Sequence, residues 1–480
     1  METLDIARWQ FAATTSIHWL FVILTMGLVP LVAVMHTRAA LAKDADKKAA
    51  LERMTRFWGQ LYLINYALGI VTGLVMEFQF GLGWSGLSKF AGNVFGAPLA
   101  LETLIAFFAE STFLGMWIFG WGRLRSSVHV ALIWLVALTA YLSAYWILVA
   151  NAFMQHPVGY EVRDGVAYLT DFAALMTNSN AMLALLHIAG AALVTGGLFI
   201  AGISAYHYAR RTEEREVFGR SLRLGVVVAA VASFPAYMVG ALQYPMLGKT
   251  QPMKLAALEP GPGAPALAEQ MAAQHGPGNY LPPQWMVHAQ YVMLYAGYVV
   301  FIVSILAFLV LYRRALVRFL PLGLLVVAIA AYPVGEFVGG IIYYGTAGPN
   351  RLTIYIATAV VLAVLLWFGD RVARARWLGY VLAALIPLPF IAALAGWLFR
   401  EGGRQPWVVY GELTAEEAIG PVSTGAAMLS FVSFTAVFAA LAVTNWIMIA
   451  RYARRGPAGT QLGTEELTVL TPREEPRPTF

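Results

Sequence analysis

The chain contains no cysteine. That absence excludes iron–sulfur clusters, thiolate-ligated haem and covalent c-type haem attachment, because each needs a thiol; it also leaves the redox compartment unread. Charge is scarce too. Only 12% of the 480 residues are charged while 59% are hydrophobic, and soluble domains carry about 25% charged residues. A chain this apolar must use the bilayer as its solvent. No short basic segment leads into an apolar run with a small-residue cleavage site, so the first apolar run is expected to stay as a helix. The net charge of +6 is no nucleic-acid signal, because the basic residues fall where membrane topology wants them. There is no low-complexity tract.

What the chain does have is repeated apolar runs of about 20 residues, each long enough to span hydrocarbon. They predict helices over about 9–35, 57–78, 98–121, 128–150, 182–206, 222–243, 285–311, 318–343, 353–369, 377–399 and 425–450. The fold expected is therefore an all-α polytopic membrane bundle of about eleven transmembrane helices. It reads as one transmembrane domain over 1–455, with a long outer loop at 244–284 rich in Pro, Gly and Ala, and a disordered tail over 456–480 that lacks periodicity. Alternate connections are basic (Arg38 to Arg56, Arg123 and Arg125, Arg210 to Arg223, Arg313 to Arg318, Arg371 to Arg376, Arg451 to Arg455), whereas 79–97 has only Lys89 and 151–181 only Arg163. The excess of Lys and Arg on one side predicts an outer N-terminus and a cytoplasmic C-terminus.

Ionisable groups inside a membrane cost roughly 2.5–3.5 kcal/mol each, so each needs a reason. The candidates are His18, Glu102, Glu110, His187, His288, Glu336 and Glu401. With orientation assigned, His18, His187, Met293 and Glu401 all fall in the outer part of the bilayer at about 1.5 Å per residue. Histidine, methionine and carboxylate can each ligate haem iron; two protein ligands suit electron transfer, and one leaves a position open for oxygen. The alternative reading makes these ordinary packing residues, as most methionines are. Glu102 and Glu110 lie on one broad helix side, about 80° apart, either as a proton relay or as helix-end carboxylates bonded to neighbours. Lys254 and Glu259 in QPMKLAALE could bind a quinol head group, although a solvated charged face is the plainer reading of those residues alone. GEFVGGIIYYG around Glu336 parallels REGGRQPWVVYG around Glu401, through a duplicated helix pair or by chance.

Several stretches resemble cytochrome bd oxidase subunit I: RWQFAATTSIHWLFVILTMG, RFWGQLYLINYALGIVTGLVMEFQFG, FGAPLALETLIAFFAESTFLGMWIFGW, QHPVG, HIAGAALVTGGLFIAGISAYHY, KLAALE and GWLFREGGRQPW. They follow the family order and cover most of 1–260 and then 396–411. The resemblance implies His18 as ligand of one active-site haem, His187 on the low-spin haem b, and Glu401 on the other active-site haem with Trp397 and Arg404 beside it. It implies a role for Glu102 and Glu110 in haem propionate contact and proton delivery, and for Lys254 and Glu259 in quinol binding. The implied cofactors are a low-spin haem b, a high-spin haem b and a haem d or third haem b. The implied partners are a second subunit, possible small accessory subunits, quinol, O2 and membrane lipid, in a bacterial-type plasma membrane and with no nucleic acid. The implied reaction is quinol oxidation at the outer face and reduction of O2 to water with cytoplasmic protons.

Departures from the family pattern are expected to matter. The family has nine helices, so eleven imply an extra pair. The family's Phe-Trp-x-Phe-Arg-x-Met at helix seven reads QWMVHAQYVM here, which makes Met293 the first choice for the sixth ligand of the low-spin haem and His288 the second. An alternative register aligns Arg351 in PNRLT with the family arginine and leaves Thr353, a non-ligand, at the methionine position. Glu336 has no family counterpart. The rivals are a relative using another donor, such as cytochrome c; a haem–copper oxidase, disfavoured by the lack of adjacent histidines; and a transporter or haem sensor, for which Pro333–Gly335 would supply a helix break.

Overall fold

Every apolar run expected from the sequence lies on a helix in the computed structural model, which describes residues 2–259, 261–342, 351–368 and 376–463. Among the described residues, nine helices are long and apolar enough to cross a membrane, and two shorter apolar stretches, Leu320–Glu336 and Leu352–Val364, add to them. The molecule is a polytopic helical membrane protein. Its helices outrun the apolar runs because polar end residues continue the backbone ladder beyond the hydrocarbon.

The chain forms two compact units, one of Met1–Asn151, Gly159–Phe172 and Gly420–Phe480, the other of Ala152–Val158 and Ala173–Ile419. The first holds α1 (Thr3–Ala40), α2 (Ala45–Leu82), α3 (Ser85–Leu101), α4 (Phe108–Phe119), most of α5 (Ser126–Gln155), the antiparallel β1 (Tyr160–Arg163) and β2 (Val166–Leu169), and the last helix. A π-helical segment, Glu102–Phe107, joins α3 to α4; such bulges recur at functional sites. The second holds α6 (Phe172–Met176), α7 (Ser179–Arg210), α8 (Arg215–Thr250), α9 (Pro252–Ala256), α10 (Gly263–His275), α11 (Trp285–Arg318), α12 (Leu320–Ile342), α13 (Arg351–Phe368), α14 (Trp377–Ala384), α15 (Pro387–Gly402), a small β3–β4 hairpin (Trp407–Val409, Leu413–Thr414) and α16 (Ala415–Ala418). The last helix, α17 (Thr424–Arg455), returns to the first unit.

Three polar residues at seven-residue spacing on α2, Asn65, Thr72 and Gln79, stitch α1 to it. Asn65 Nδ2 donates to Phe21 O and Thr25 Oγ1, both at 2.9 Å. Thr72 meets His18, and Gln79 accepts from Thr14 at 3.1 Å. Side-chain hydrogen bonds of this kind hold helices together where lipid supplies no hydrophobic drive. In the second unit small residues do the same work. A Cβ on Gly197 would stand 2.8 Å from Gly225 O, and one on Gly225 2.5 Å from Gly197 O. Gly190 faces Ala236 in the same stripe. Their backbones therefore approach as only small side chains allow. Beside this pair, α11 packs on α8 and α15, and α12 and α13 pack on α11.

Two segments differ from expectation in extent. Residues 244–250 of the loop expected at 244–284 continue α8 as helix, and the rest forms α9 and α10 over an apolar cluster of Met253, Ala264, Met271, Tyr280 and Trp407. The tail expected to be disordered from 456 is docked as far as 463. Gln60 Oε1 accepts from the backbone N–H of Gln461 at 2.6 Å and Leu462 at 3.2 Å, and Leu462 is buried. One buried leucine and two satisfied amides suffice to order a strap that has no periodicity to announce it. Residues 464–480 lie outside the described residues.

Candidate functional site

In the first unit, His18 is held by one nitrogen. Its Nδ1 lies 2.8 Å from Thr72 Oγ1, and that hydroxyl donates its own proton to Gly69 O at 2.7 Å. Thr72 Oγ1 therefore accepts, His18 Nδ1 carries the hydrogen, and Nε2 keeps its lone pair. Gly73 makes the room: a Cβ there would sit 3.1 Å from His18 Cε1. This is the arrangement by which an imidazole is presented to a metal, its far nitrogen fixed by an outer partner.

Glu102 and Glu110 flank the π-helical segment. Ser143 donates to Glu102 Oε1 at 2.6 Å and Thr103 to Oε2 at 3.2 Å. Glu110 is buried and its Oε1 has no hydrogen-bond partner, so the bland reading of two satisfied helix-end carboxylates describes Glu102 but not Glu110. Sequence reasoning passed over Glu77, which lies beside Glu102 and Thr103; its position in the quoted GLVMEFQFG was the available signal.

In the second unit, the close α7–α8 approach brings His187 onto α8. Its Nδ1 donates to Ala236 O at 2.9 Å, which again leaves Nε2 free. A Cβ on Gly240 would stand 3.0 Å from His187 Cε1, so this glycine too opens space for a ring. Met293 on α11 turns its thioether toward α15, where a Cβ on Gly396 would meet Sδ at 2.8 Å. His288, the second choice for that ligand, is exposed.

Around Glu401 the second unit buries a surplus of positive charge. Arg404 donates to Glu401 Oε2 at 2.6 Å and Gln155 Nε2 to Oε1 at 3.2 Å. Lys254, only 1% exposed, donates to Gln155 Oε1 at 3.1 Å and to Arg400 O at 2.9 Å. Burial, then the Arg400 charge, push its amine well below the ordinary lysine value, with Glu401 opposing them. Among the described residues Arg404 Nε and Nη1 are buried without hydrogen bonds, donors that a further anion would satisfy. Gln155, which ties Lys254, Gln251 and Glu401 together, was missed from the sequence because a glutamine gives no charge to notice. Trp397 lies partly buried on α15, a turn before Glu401. Glu259 is exposed, so the structure does not bring it into this cluster with Lys254. Glu336 on α12 accepts a hydrogen bond from Tyr355 on α13.

Comparison with known proteins follows this geometry. The family of cytochrome bd terminal oxidase subunit I matches residues 6–263 and 350–457. Cytochrome bd ubiquinol oxidase subunit 1 of Bacillus subtilis (strain 168) is 36% identical over 467 residues, covering 95% of this chain and 94% of that protein. Cytochrome bd-II ubiquinol oxidase subunit 1 of Escherichia coli (strain K12) is 33% identical, covering 96% and 98%. In structure, the bd oxidase from Geobacillus thermodenitrificans matches with a TM-score of 0.70 at 23% identity, over 95% of this chain and 99% of that one. The chain belongs to the cytochrome bd terminal oxidase subunit I family: it is a multi-pass membrane oxidoreductase subunit of a haem protein.

Proposed function

We propose that this chain binds a low-spin haem b between His187 and Met293 and two further haems, one at His18 and one at Glu401, and that it oxidises quinol and reduces O2 to water. The carrying observation is that both histidines are locked through Nδ1 with Nε2 unencumbered, which is what an iron ligand requires. The donor set suits haem in other respects. Glycines 73 and 240 let the imidazoles lie close against the neighbouring helices, and the buried Arg404 Nε and Nη1, without a partner among the described residues, match the carboxylates that every haem carries. Haem, when bound, supplies one-electron transfer and, where one position stays open, oxygen activation; the third macrocycle is read as haem d or a third haem b.

The protein's own groups do the rest. His18 and His187 hold fixed tautomers, and Met293 provides the sixth position that closes the electron-transfer site. Glu401 is aimed by Arg404 and Gln155, with Trp397 beside it. Glu110 receives protons and hands them to Glu102, which Ser143 and Thr103 hold. Quinol meets the outer loop near Lys254 and Glu259; because Lys254 is turned inward, its contribution is charge rather than a direct surface contact. The basic loops set the cytoplasmic side, with the N-terminus outside, in a bacterial-type plasma membrane, so outer quinol oxidation and inner proton uptake make turnover electrogenic. A second subunit completes the enzyme.

The test is a reduced-minus-oxidised spectrum of wild type and Met293→Leu. A low-spin haem b that becomes high-spin supports the assignment; an unchanged spectrum refutes it. Turnover with quinol against reduced cytochrome c decides the donor. Retained activity with cytochrome c alone would favour the second reading, suggested by the altered helix-seven signature.

A further inference from the structure

We propose that His36 and His129 form the proton entrance to Glu110: an imidazole pair anchored on Trp117 and roofed by the chain's own C-terminal strap. This rests on the reading of Glu110 as proton acceptor and adds the route by which protons reach it.

The pair sits in the first unit where α1 and α4 end and α2 and α5 begin. Each imidazole is only 5% exposed. Trp117 Nε1–H donates to His36 Nδ1 at 3.1 Å, so a neutral His36 carries its proton on Nε2. His129 Nε2 donates to Trp117 O at 2.7 Å, so its lone pair is on Nδ1. The ring centroids are 4.7 Å apart, edge to face. Each ring thus has one nitrogen fixed by Trp117. Neither of the other nitrogens makes a hydrogen bond among the described residues: His129 Nδ1 has the lone pair that takes a proton, and His36 Nε2 carries a hydrogen and can only donate. The charged groups acting on the pair are Arg56 from α2, which acts on His129 and also stacks on Trp121 at 4.7 Å, and His129, which acts on His36. A proton resting on the pair is repelled onward.

A path leads inward. Trp117 lies seven residues after Glu110 on α4, two turns along the same face. On α2, Gly59, Tyr62 and Tyr66 share one face, and Gly59 meets the Trp117 ring, where a Cβ would stand 2.6 Å from Cη2. The Tyr62 hydroxyl and Glu110 Oε1 are both buried with no partner among the described residues, and the two groups lie within electrostatic reach of each other. Buried polar groups left without protein partners are where ordered water sits. The row from the imidazoles past Tyr62 to Glu110 is therefore polar and hydratable, inside an otherwise apolar bundle.

The strap makes the entrance selective. Leu462 packs on Gly59, and Gly463, at φ +74°, lies over Trp121 and Arg56. Side chains there would collide: a Cβ on Gly463 would be 2.9 Å from Trp121 Cγ. The roof keeps bulk water and ions out of the aromatic cage, while an imidazole still passes protons. In each passage an N–H bond forms at His129 Nδ1 and that same bond breaks as the proton moves on toward Glu110, so the imidazole ends as it began and no electron moves.

The test uses the complete oxidase in liposomes with His36→Gln, His129→Gln, the double variant and Glu110→Gln. Expected for the double variant is a fall of about tenfold or more in kcat, with the haem spectrum and donor KM unchanged and turnover restored by added imidazole. Leu462→Asp should release the strap and speed carbethoxylation of both histidines by diethyl pyrocarbonate. Wild-type turnover in the double variant would overturn the proposal, as would lost turnover that imidazole does not restore and that comes with an altered haem spectrum. If Glu110→Gln itself turns over normally, the proton-delivery reading fails. If Glu110→Gln is inactive and the double histidine variant is not, only the entrance fails.

Discussion

Thr72→Val removes one oxygen and almost no volume, and it isolates how His18 is prepared for iron. Thr72 is fully buried; it accepts from His18 Nδ1 at 2.8 Å and passes its own proton to Gly69 O at 2.7 Å. With valine, the Nδ1–H faces a methyl group. A buried donor that loses its partner costs about 1–3 kcal/mol, or about 5- to 100-fold in an equilibrium at 1.4 kcal/mol per decade. The imidazole can escape that cost only by moving its proton to Nε2, which then cannot ligate. Either way haem retention at His18 should fall by about 10- to 100-fold, the usual effect of removing an outer partner of a metal ligand. The assay is the haem-to-protein ratio of the purified oxidase, its reduced-minus-oxidised spectrum and its oxygen consumption, with Thr72→Ser as the control that restores the acceptor. A Thr72→Val enzyme with full haem content and full turnover would refute the argument.

Other substitutions separate packing from ligation. Gly396→Ala puts a Cβ 2.8 Å from Met293 Sδ; the flexible thioether should swing aside, so the low-spin haem signal is expected to weaken while thermal stability holds, since alanine favours a helix by about 1 kcal/mol over glycine. Gly402→Ala meets the rigid Trp285 ring and should lower stability by about 1–3 kcal/mol through overpacking, read as a drop in Tm in detergent. Lys254, held below its ordinary value by burial and Arg400, binds fewer protons folded than unfolded. Stability of the haem-free protein should therefore rise with pH toward the ordinary lysine range, and Lys254→Met should remove that slope in a pH series of thermal melts.

The membrane helices were legible because a span of about 20 apolar residues has few other uses. The histidines were legible because intramembrane ionisable groups are costly. What the sequence could not display are contacts made by unremarkable residues. Thr72, Gln155 and Ala236 O decide the tautomers and charge balance of the site, yet a threonine, a glutamine and a backbone carbonyl stand out in no composition or spacing. Lys254 and Glu259, five residues apart, invited pairing; the fold turns one inward to Gln155 and leaves the other outside, because α9 ends between them. The docked strap at 457–463 was invisible for the opposite reason: too short to show a period, it is ordered by Gln60 and a single buried leucine.

The two shorter apolar helices, α12 and α13, pose a question of register on which packing bears. The family match passes over 264–349, which would make α13 the family's seventh helix and put Thr353 where a thioether is wanted. Yet it is α11 that packs on α8 and α15 beside α7, and Met293 that lies against Gly396. On its other side α11 presents Phe301, Ile305, Leu309 and Leu316 to Val327, Ala330 and Val334 of α12 and to Leu362 and Leu366 of α13. This pair joins the bundle by an apolar face, and its carboxylate Glu336 accepts a hydrogen bond from Tyr355 within the pair. The packing of α11 is the ground for proposing Met293 rather than residue 353 at this ligand position. Thr353→Met, which supplies the thioether that the alternative register lacks, should accordingly leave the low-spin haem of a Met293→Leu oxidase unrepaired; recovery of that signal would hand the seventh position to α13.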